Sequence, residues 1–185
     1  MDNAGNTYRR YLDGDNEALT ELVGQFKEGL TLYLNSIVGN IFTAEELMEE
    51  AFFRLITKRP HFSGRSSFKT FLYAIGRNAA LDRLRKDKRI DARPIEERVL
   101  LAEQRSVEES YLVREDRLAV HRALGELSPD HRQVLYLTYF EELSNKEAAS
   151  VMKRSVHSIE NLVSRARASL KKELEKEGFH YENRF

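Results

Sequence analysis

The sequence predicts an all-α protein of two small helical domains joined by a flexible linker, the second a helix-turn-helix. Three observations carry this. Apolar residues recur at three- and four-residue spacing almost throughout, only 3 prolines and 9 glycines interrupt 185 residues, and helix-start signals stand at several of the stripes. A hydrophobic share of 41% is too high for a disordered chain, while 32% charge and a mean hydropathy of −0.56 describe a solvated globular surface.

Taken in order, Thr43 with Glu46 forms an S/T-x-x-E pair that predicts a helix beginning near 44. The segment HFSGRSS at 61–67 reads as a loop, followed by a helix in FKTFLYAIGRNAALDRLRK at 68–86. In that helix Phe68, Phe71, Leu72, Ile75 and Ala79 share one stripe and read as core, whereas Lys69, Tyr73, Arg77 and Leu84 project from the other side as the surface a ligand would meet. Residues 87–110 are weakly periodic, dense in mixed charge and hold Pro94, with EERVLLAEQ able to form a turn or two. The boundaries drawn are a first domain at 1–90, a linker at 91–112 and a second domain at 113–185.

Beyond the linker a helix is expected at 117–127, and Ser128 ahead of Pro129 predicts another over 129–143. Ser144 with Glu147 predicts a capping box opening a helix at 145–152. After the turn KRS, Ser155 is the expected N-cap of a long helix from 156, with Val156, Ile159, Leu162, Val163, Ala166 and Leu170 as its buried stripe. The last pair has helix-turn-helix proportions, and a plain helical hairpin shares them.

Zero cysteines exclude disulfides, thiolate metal sites and cysteine nucleophiles. His61, His121, His131, His157 and His180 show no metal-ligand spacing, and neither a Gly-rich phosphate loop nor HExxH is present. No metal, no cofactor and no enzymatic activity are therefore expected. The opening MDNAGNTYRRYLDGDNEA lacks an apolar signal core, and VLYLTYF at 134–140 is too short to span a bilayer, so a cytoplasmic location without membrane insertion is expected.

The net charge of zero hides a sharp separation. Residues 1–53 carry 3 basic and 10 acidic side chains, 54–90 carry 11 and 2, 91–130 carry 6 and 10, and 131–185 carry 10 and 8. A local balance of +9 in 54–90 suits a polyanion, because each cation placed near a phosphate releases counterions; a solvated helix face compensated by the preceding acidic segment is the plainer alternative.

Four stretches in order, YLDGDNEALTELVGQF, TAEELMEEAFFRL at 43–55, FSGRSSFKTFLYAIGRNAALDRLRK at 62–86 and LSPDHRQVLYLTYFEELSNKEAASVMKRSVHSIENLVSRARASLKKEL at 127–174, resemble the bacterial extracytoplasmic-function (ECF) sigma factors of the sigma-70 family. The resemblance covers the chain from about Tyr11 to Lys172. It implies a factor that binds core RNA polymerase and directs promoter-specific initiation, region 2 reading and melting the −10 element and region 4 reading the −35 element.

By that resemblance, Glu45, Glu46, Met48, Glu49, Glu50 and Phe53 dock on the β′ clamp helices, the β subunit being the further polymerase contact. Leu47, Phe52 and Leu55 are either docking surface or intradomain core. Phe62, Ser63, Arg65 and Ser66 belong to the loop that receives the flipped base, with Asn78 on the next helix and Lys69, Tyr73, Arg77, Arg83 and Arg85 along the DNA backbone. Phe71 stands where many relatives have tryptophan and is assigned to core. In the −35 reader the expected contacts are Ser144, Lys146, Arg154, Ser155, His157, Ser158, Glu160, Asn161, Ser164 and Arg165, with Arg167 in the matching SRARASL stretch. Glu160 departs from the basic residue usual there; it either accepts from a cytosine amine or pairs with Arg154 or Arg165.

The inhibitory N-terminal region and intermediate domain of larger sigma factors are not seen, so control is expected from an anti-sigma factor. The tail at 177–185 packs on the last domain, meets a partner or is disordered. The alternative function is a stand-alone helix-turn-helix regulator, and a third is a protein that sequesters a partner. The regulator binds its operator unaided, normally as a dimer, whereas a sigma factor binds promoters strongly only within polymerase.

Overall fold

The computed structural model describes residues 3–91, 120 and 122–176, with helices and no strand among them. Most of the linker, residues 117–119 of the expected 117–127 helix, His121, and the tail with His180 lie outside the described residues. In the first unit, α1 (Asn3–Leu12) and α2 (Asn16–Val38) are followed by α3 (Ile41–Lys58) and α4 (Phe68–Asp91). Helices α1 and α2 are additions to the elements placed from the sequence. Asp15 separates them, its carboxylate accepting from the Glu17 and Ala18 amides at 3.1 and 3.4 Å.

Helix α3 begins three residues before the expected start. Asn40 caps it, accepting from the Thr43 amide at 3.0 Å, so Thr43 lies inside the first turn instead of capping with Glu46. Asparagine and threonine both suit an N-cap; Gly39, at φ +70°, ends α2 and turns the chain so that Asn40 arrives first.

Aromatic rings fill one end of this core, with Tyr8 and Phe68 5.1 Å apart and Phe62 and Phe71 5.4 Å apart. The Tyr8 hydroxyl donates to the Pro60 carbonyl at 3.0 Å, tying α1 to the loop before α4. Burial, with Tyr11 beside it, pushes the Tyr8 phenol up to about 12. Helices α2 and α4 cross at Gly76, where a Cβ would lie 3.0 Å from Leu30 Cδ1, so a larger residue would need that leucine to give by a few tenths of an ångström.

The second unit holds a helical turn at 122–125, α5 (Pro129–Leu135), α6 (Asn145–Met152) and α7 (Val156–Lys176). Ser128 and Ser144 cap as expected, the latter with a complete capping box: its hydroxyl receives the Glu147 amide and the Glu147 carboxylate receives the Ser144 amide. The expected continuous helix to 143 is instead broken. After Leu135 the chain widens into a π turn over Tyr136–Phe140, the Glu141 amide reaching back to the Tyr136 carbonyl at 3.0 Å. Tyr136 and Phe140 stack within it at 4.6 Å.

Lys153, at φ +54°, makes the turn between α6 and α7, and Ser155 caps α7 by accepting from the Ser158 amide. Ala148, Ala149, Met152, Ile159, Leu162 and Ala166 are buried as expected, with Val163 and Leu170 packed partly against them. Val156 is a correction: it sits at the solvent end of the first turn and is 41% exposed. The two units pack together, α4 against α6 and α2 against α5.

Candidate nucleic-acid and polymerase interfaces

Helix α3 sorts its residues cleanly. Leu47, Phe52 and Leu55 are core, Met48 is half-buried, and Glu45, Glu46, Glu49, Glu50 and Phe53 face solvent. Phe42 and Phe53 are each 62% exposed, and with Glu45, Glu46, Glu49 and Ile56 they lie along one side of the helix at three- and four-residue steps. Sequence reasoning missed Phe42 and Ile56; their place in this period was the available signal. Arg54 pairs with Glu50 at 2.6 Å and Arg83 with Glu46 at 3.2 Å, offsetting part of the acidic repulsion.

The expected −10 residues divide. Ser63 and Arg65 are exposed, Ser66 and Asn78 are half-buried, and Arg83 and Arg85 remain accessible beyond α3, Arg85 pairing with Asp82 at 3.2 Å. Phe62 is a correction: its ring is buried against Tyr8, Phe68 and Phe71, anchoring the loop from beneath instead of facing a base.

Lys69, Tyr73 and Arg77 are a second correction. They do share the α4 face opposite the first unit's aromatic core, yet that face is covered by the chain's own second unit. Tyr73 is buried, stacks on Tyr33 at 5.4 Å and donates to Glu141 Oε2 at 2.6 Å. Lys69 bonds the same carboxylate at 2.7 Å and the Glu141 carbonyl at 2.8 Å. Buried Arg77 donates to Gln133 Oε1 at 3.0 Å, and Ser67 donates to Glu147 Oε1 at 2.8 Å. Desolvation, reinforced by the Glu141 carboxylate, raises the Tyr73 phenol far above its ordinary range, so it stays a donor. Burial would also raise Glu147, but the bonds from Ser144, Ser67 and Thr70 outweigh it and hold the carboxyl below its ordinary value.

On the helix-turn-helix, Lys146, Ser155, His157, Glu160, Asn161, Ser164, Arg165 and Arg167 are exposed and Ser158 is half-buried. Ser144 is exposed, with its hydroxyl engaged in the capping box. Arg154 forms an ion pair with Asp130 that straps the turn onto α5, so it does not partner Glu160. Glu160 instead lies 3.9 Å from His157 Nδ1, while His157 Nε2 contacts the Asn161 amide at 3.1 Å. Arg167 sits over the Tyr139 ring at 6.0 Å, joining α7 to the π turn. The outer face of α7's first turns is thus polar and free of the first unit, and among the described residues no group of histidines and carboxylates could hold a metal ion.

Comparison with known proteins matches this arrangement unit by unit. Sigma-70 region 2 matches residues 22–90 and sigma-70 region 4 matches residues 117–170. The ECF RNA polymerase sigma factor SigW of Bacillus subtilis is 26% identical over 170 residues, covering 87% of this chain and 91% of that one. The RNA polymerase sigma-H factor of Pseudomonas aeruginosa is 29% identical over 171 residues, covering 88% and 89%. Among solved structures, the sigma factor RpoE in complex with the anti-sigma factor NepR from Bartonella quintana shares the fold at a TM-score of 0.68, 24% identity and coverage of 84% of this chain and 96% of that one. CnrH, solved with the cytosolic domain of CnrY, does so at 0.63 and 23%, covering 94% and 95%. With both regions matched in order and its relatives aligned along nearly their whole length, the chain belongs to the ECF sigma factors of the sigma-70 family.

Proposed function

We propose that this sigma factor docks on the β′ clamp helices of core RNA polymerase through the acidic and apolar side of α3, the β subunit being its further polymerase contact. Phe42, Met48, Phe53 and Ile56 supply apolar area, and Glu45, Glu46, Glu49 and Glu50 supply charge for a basic partner. The observation that carries this is Phe53, a large ring held 62% exposed in the middle of a helix whose other face is core. Residues 1–90 form the −10 unit, 91–112 the linker and 113–185 the −35 unit.

The loop with Ser63, Arg65 and Ser66 receives the flipped −10 base beside Asn78, and Arg83 and Arg85 follow the DNA backbone. The unstacking cost is offset by stacking and phosphate contacts, so melting needs no chemistry and the protein acts without catalysis of its own. In the major groove, His157, Ser158, Glu160, Asn161 and Ser164 face bases, while Ser144, Lys146, Ser155 and Arg165 hold phosphates, with Arg154 placing the turn. Glu160, without an arginine partner, is free to accept from a cytosine amine.

The protein works in the cytoplasm; no helix among the described residues is long and apolar enough to cross a membrane. An anti-sigma protein, the kind of partner with which RpoE was solved, holds it inactive.

Transcription by core RNA polymerase on a pool of promoter fragments from the source genome, with and without the protein, tests the reading. Discrete new start sites sharing two upstream elements are expected. No transcripts together with no co-elution with core enzyme would return the chain to a stand-alone regulator.

A further inference from the structure

Helix α1 enters none of the roles above, yet it lies against the loop that the −10 reading uses. Two consecutive residues connect them. Tyr8 is buried, its ring 6.4 Å from Phe62 and its hydroxyl on the Pro60 carbonyl at 3.0 Å, so α1 and the loop are bound to each other from beneath. Arg9 is exposed. The loop turns at Gly64, whose φ of +70° favours glycine, and a Cβ there would lie 3.3 Å from Arg9 Nη2. The guanidinium therefore rests against the turn of the loop, where Ser63 and Arg65 are also exposed. Arg10, one residue on, is held by Asp15 and Glu21. Among the described residues Arg9 meets no carboxylate, and its guanidinium donates from Nη1 to Asn6 Oδ1 at 3.0 Å. That bond steadies the head and leaves the remaining N–H groups as a fork that matches two phosphate oxygens.

We propose that Arg9 is a further promoter contact, gripping a phosphate next to the flipped −10 base. The proposal rests on the −10 reading of the loop. A base turned out of the stack brings its own phosphates to the rim of the pocket that holds it, and cations placed there help to offset the unstacking. Arg83 lies about 22 Å along α4 from Phe68, beyond Asn78, with Arg85 farther still. Those two follow the strand on one side of the flipped base. Arg9, at the opposite end of the site, takes it on the other.

The test uses the full chain assembled with core RNA polymerase. Its probe is a single-stranded non-template fragment carrying the −10 element of a promoter mapped by the transcription experiment above. Arg9 is exposed and alanine favours α1, so Arg9→Ala is expected to fold and to unfold thermally with the parent. Its affinity, measured between about 50 and 200 mM salt, is expected to fall about tenfold, and the slope of log K against log salt to shrink by about 0.7, the share of one phosphate on a single strand. Arg9→Lys keeps the charge without the fork, and should keep the slope while recovering part of the affinity. Arg10→Ala removes the same charge from a residue already paired with two carboxylates, and should change neither. A neutral methylphosphonate, placed in turn at the phosphates flanking the flipped base, is expected to weaken the parent at one position where Arg9→Ala no longer responds. Unchanged affinity and slope in Arg9→Ala, with Asn78→Ala weakened, would overturn the contact and leave the −10 reading standing; with Asn78→Ala unchanged as well, both fall. Equal losses in Arg9→Ala and Arg10→Ala would also overturn it, the effect then being one of net charge on α1.

Discussion

Lys153 holds a left-handed backbone in the turn of the helix-turn-helix, donating its amide to the Ala149 carbonyl. A side chain there costs about 1–2 kcal/mol that glycine avoids, against the entropy glycine loses on folding. Lys153→Gly should therefore stabilise the protein by about 0.5–1 kcal/mol, read as a higher denaturant midpoint with unchanged slope. On α3, two apolar residues in neighbouring turns have opposite duties. Leu47 is 2% exposed, and Leu47→Ala should cost about 2–5 kcal/mol. Phe53→Ser should stay within about 0.5 kcal/mol of the parent while losing co-elution with core polymerase; a comparably large destabilisation would move Phe53 into the core.

At the scale of the helix, Ser144 and Glu147 do double work. Their reciprocal bonds start α6, and Glu147 also accepts from Ser67 and Thr70 of the first unit. Ser144→Ala should cost about 1 kcal/mol in thermal unfolding. Reversing Glu45, Glu46, Glu49 and Glu50 to lysine should abolish polymerase association while the helical circular dichroism remains, since all four are exposed. Caps at Ser128, Ser144 and Ser155 were legible because each satisfies orphan amides locally, and so was the inward stripe of α7 from Ile159 to Ala166. Phe62 was not legible, because what buries it is Tyr8 and Phe71, brought there by folding. Nor were the fates of Tyr73 and Arg77: periodicity identifies the face a helix turns to its own domain, and Glu141 and Gln133 of the other one cover theirs, with Tyr33 stacked beside Tyr73. Phe53 illustrates the converse, exposed where composition alone would bury it.

Over the whole molecule, the two units share one continuous apolar cluster, and a few polar pairs, Lys69 and Tyr73 with Glu141 and Arg77 with Gln133, fix how they meet. Lys69 and Glu141 are 29% and 10% exposed, a pair whose attraction is partly cancelled by desolvation, so it selects a geometry more than it adds strength. Acid should loosen the contact that Glu147 makes with Ser67 and Thr70. The Glu147 carboxyl lies below its ordinary 4.5 in the folded chain, so its contribution is fully present above that value and is lost as pH falls through the lowered one. Glu147→Gln should flatten the acid limb of stability measured between about pH 3 and pH 6, leaving neutral pH less stable than the parent. The π turn over Tyr136–Phe140 bears on how such a protein could change over generations. It carries one residue more than an α turn, and each helical residue advances the chain by about 100°. A π turn spends that residue on about the same rotation, so loss of a single codon there would restore the regular spiral and leave Glu141 facing nearly as it does now. The turn is thus a place where the gene could gain or lose one codon while the two units keep their hold on each other.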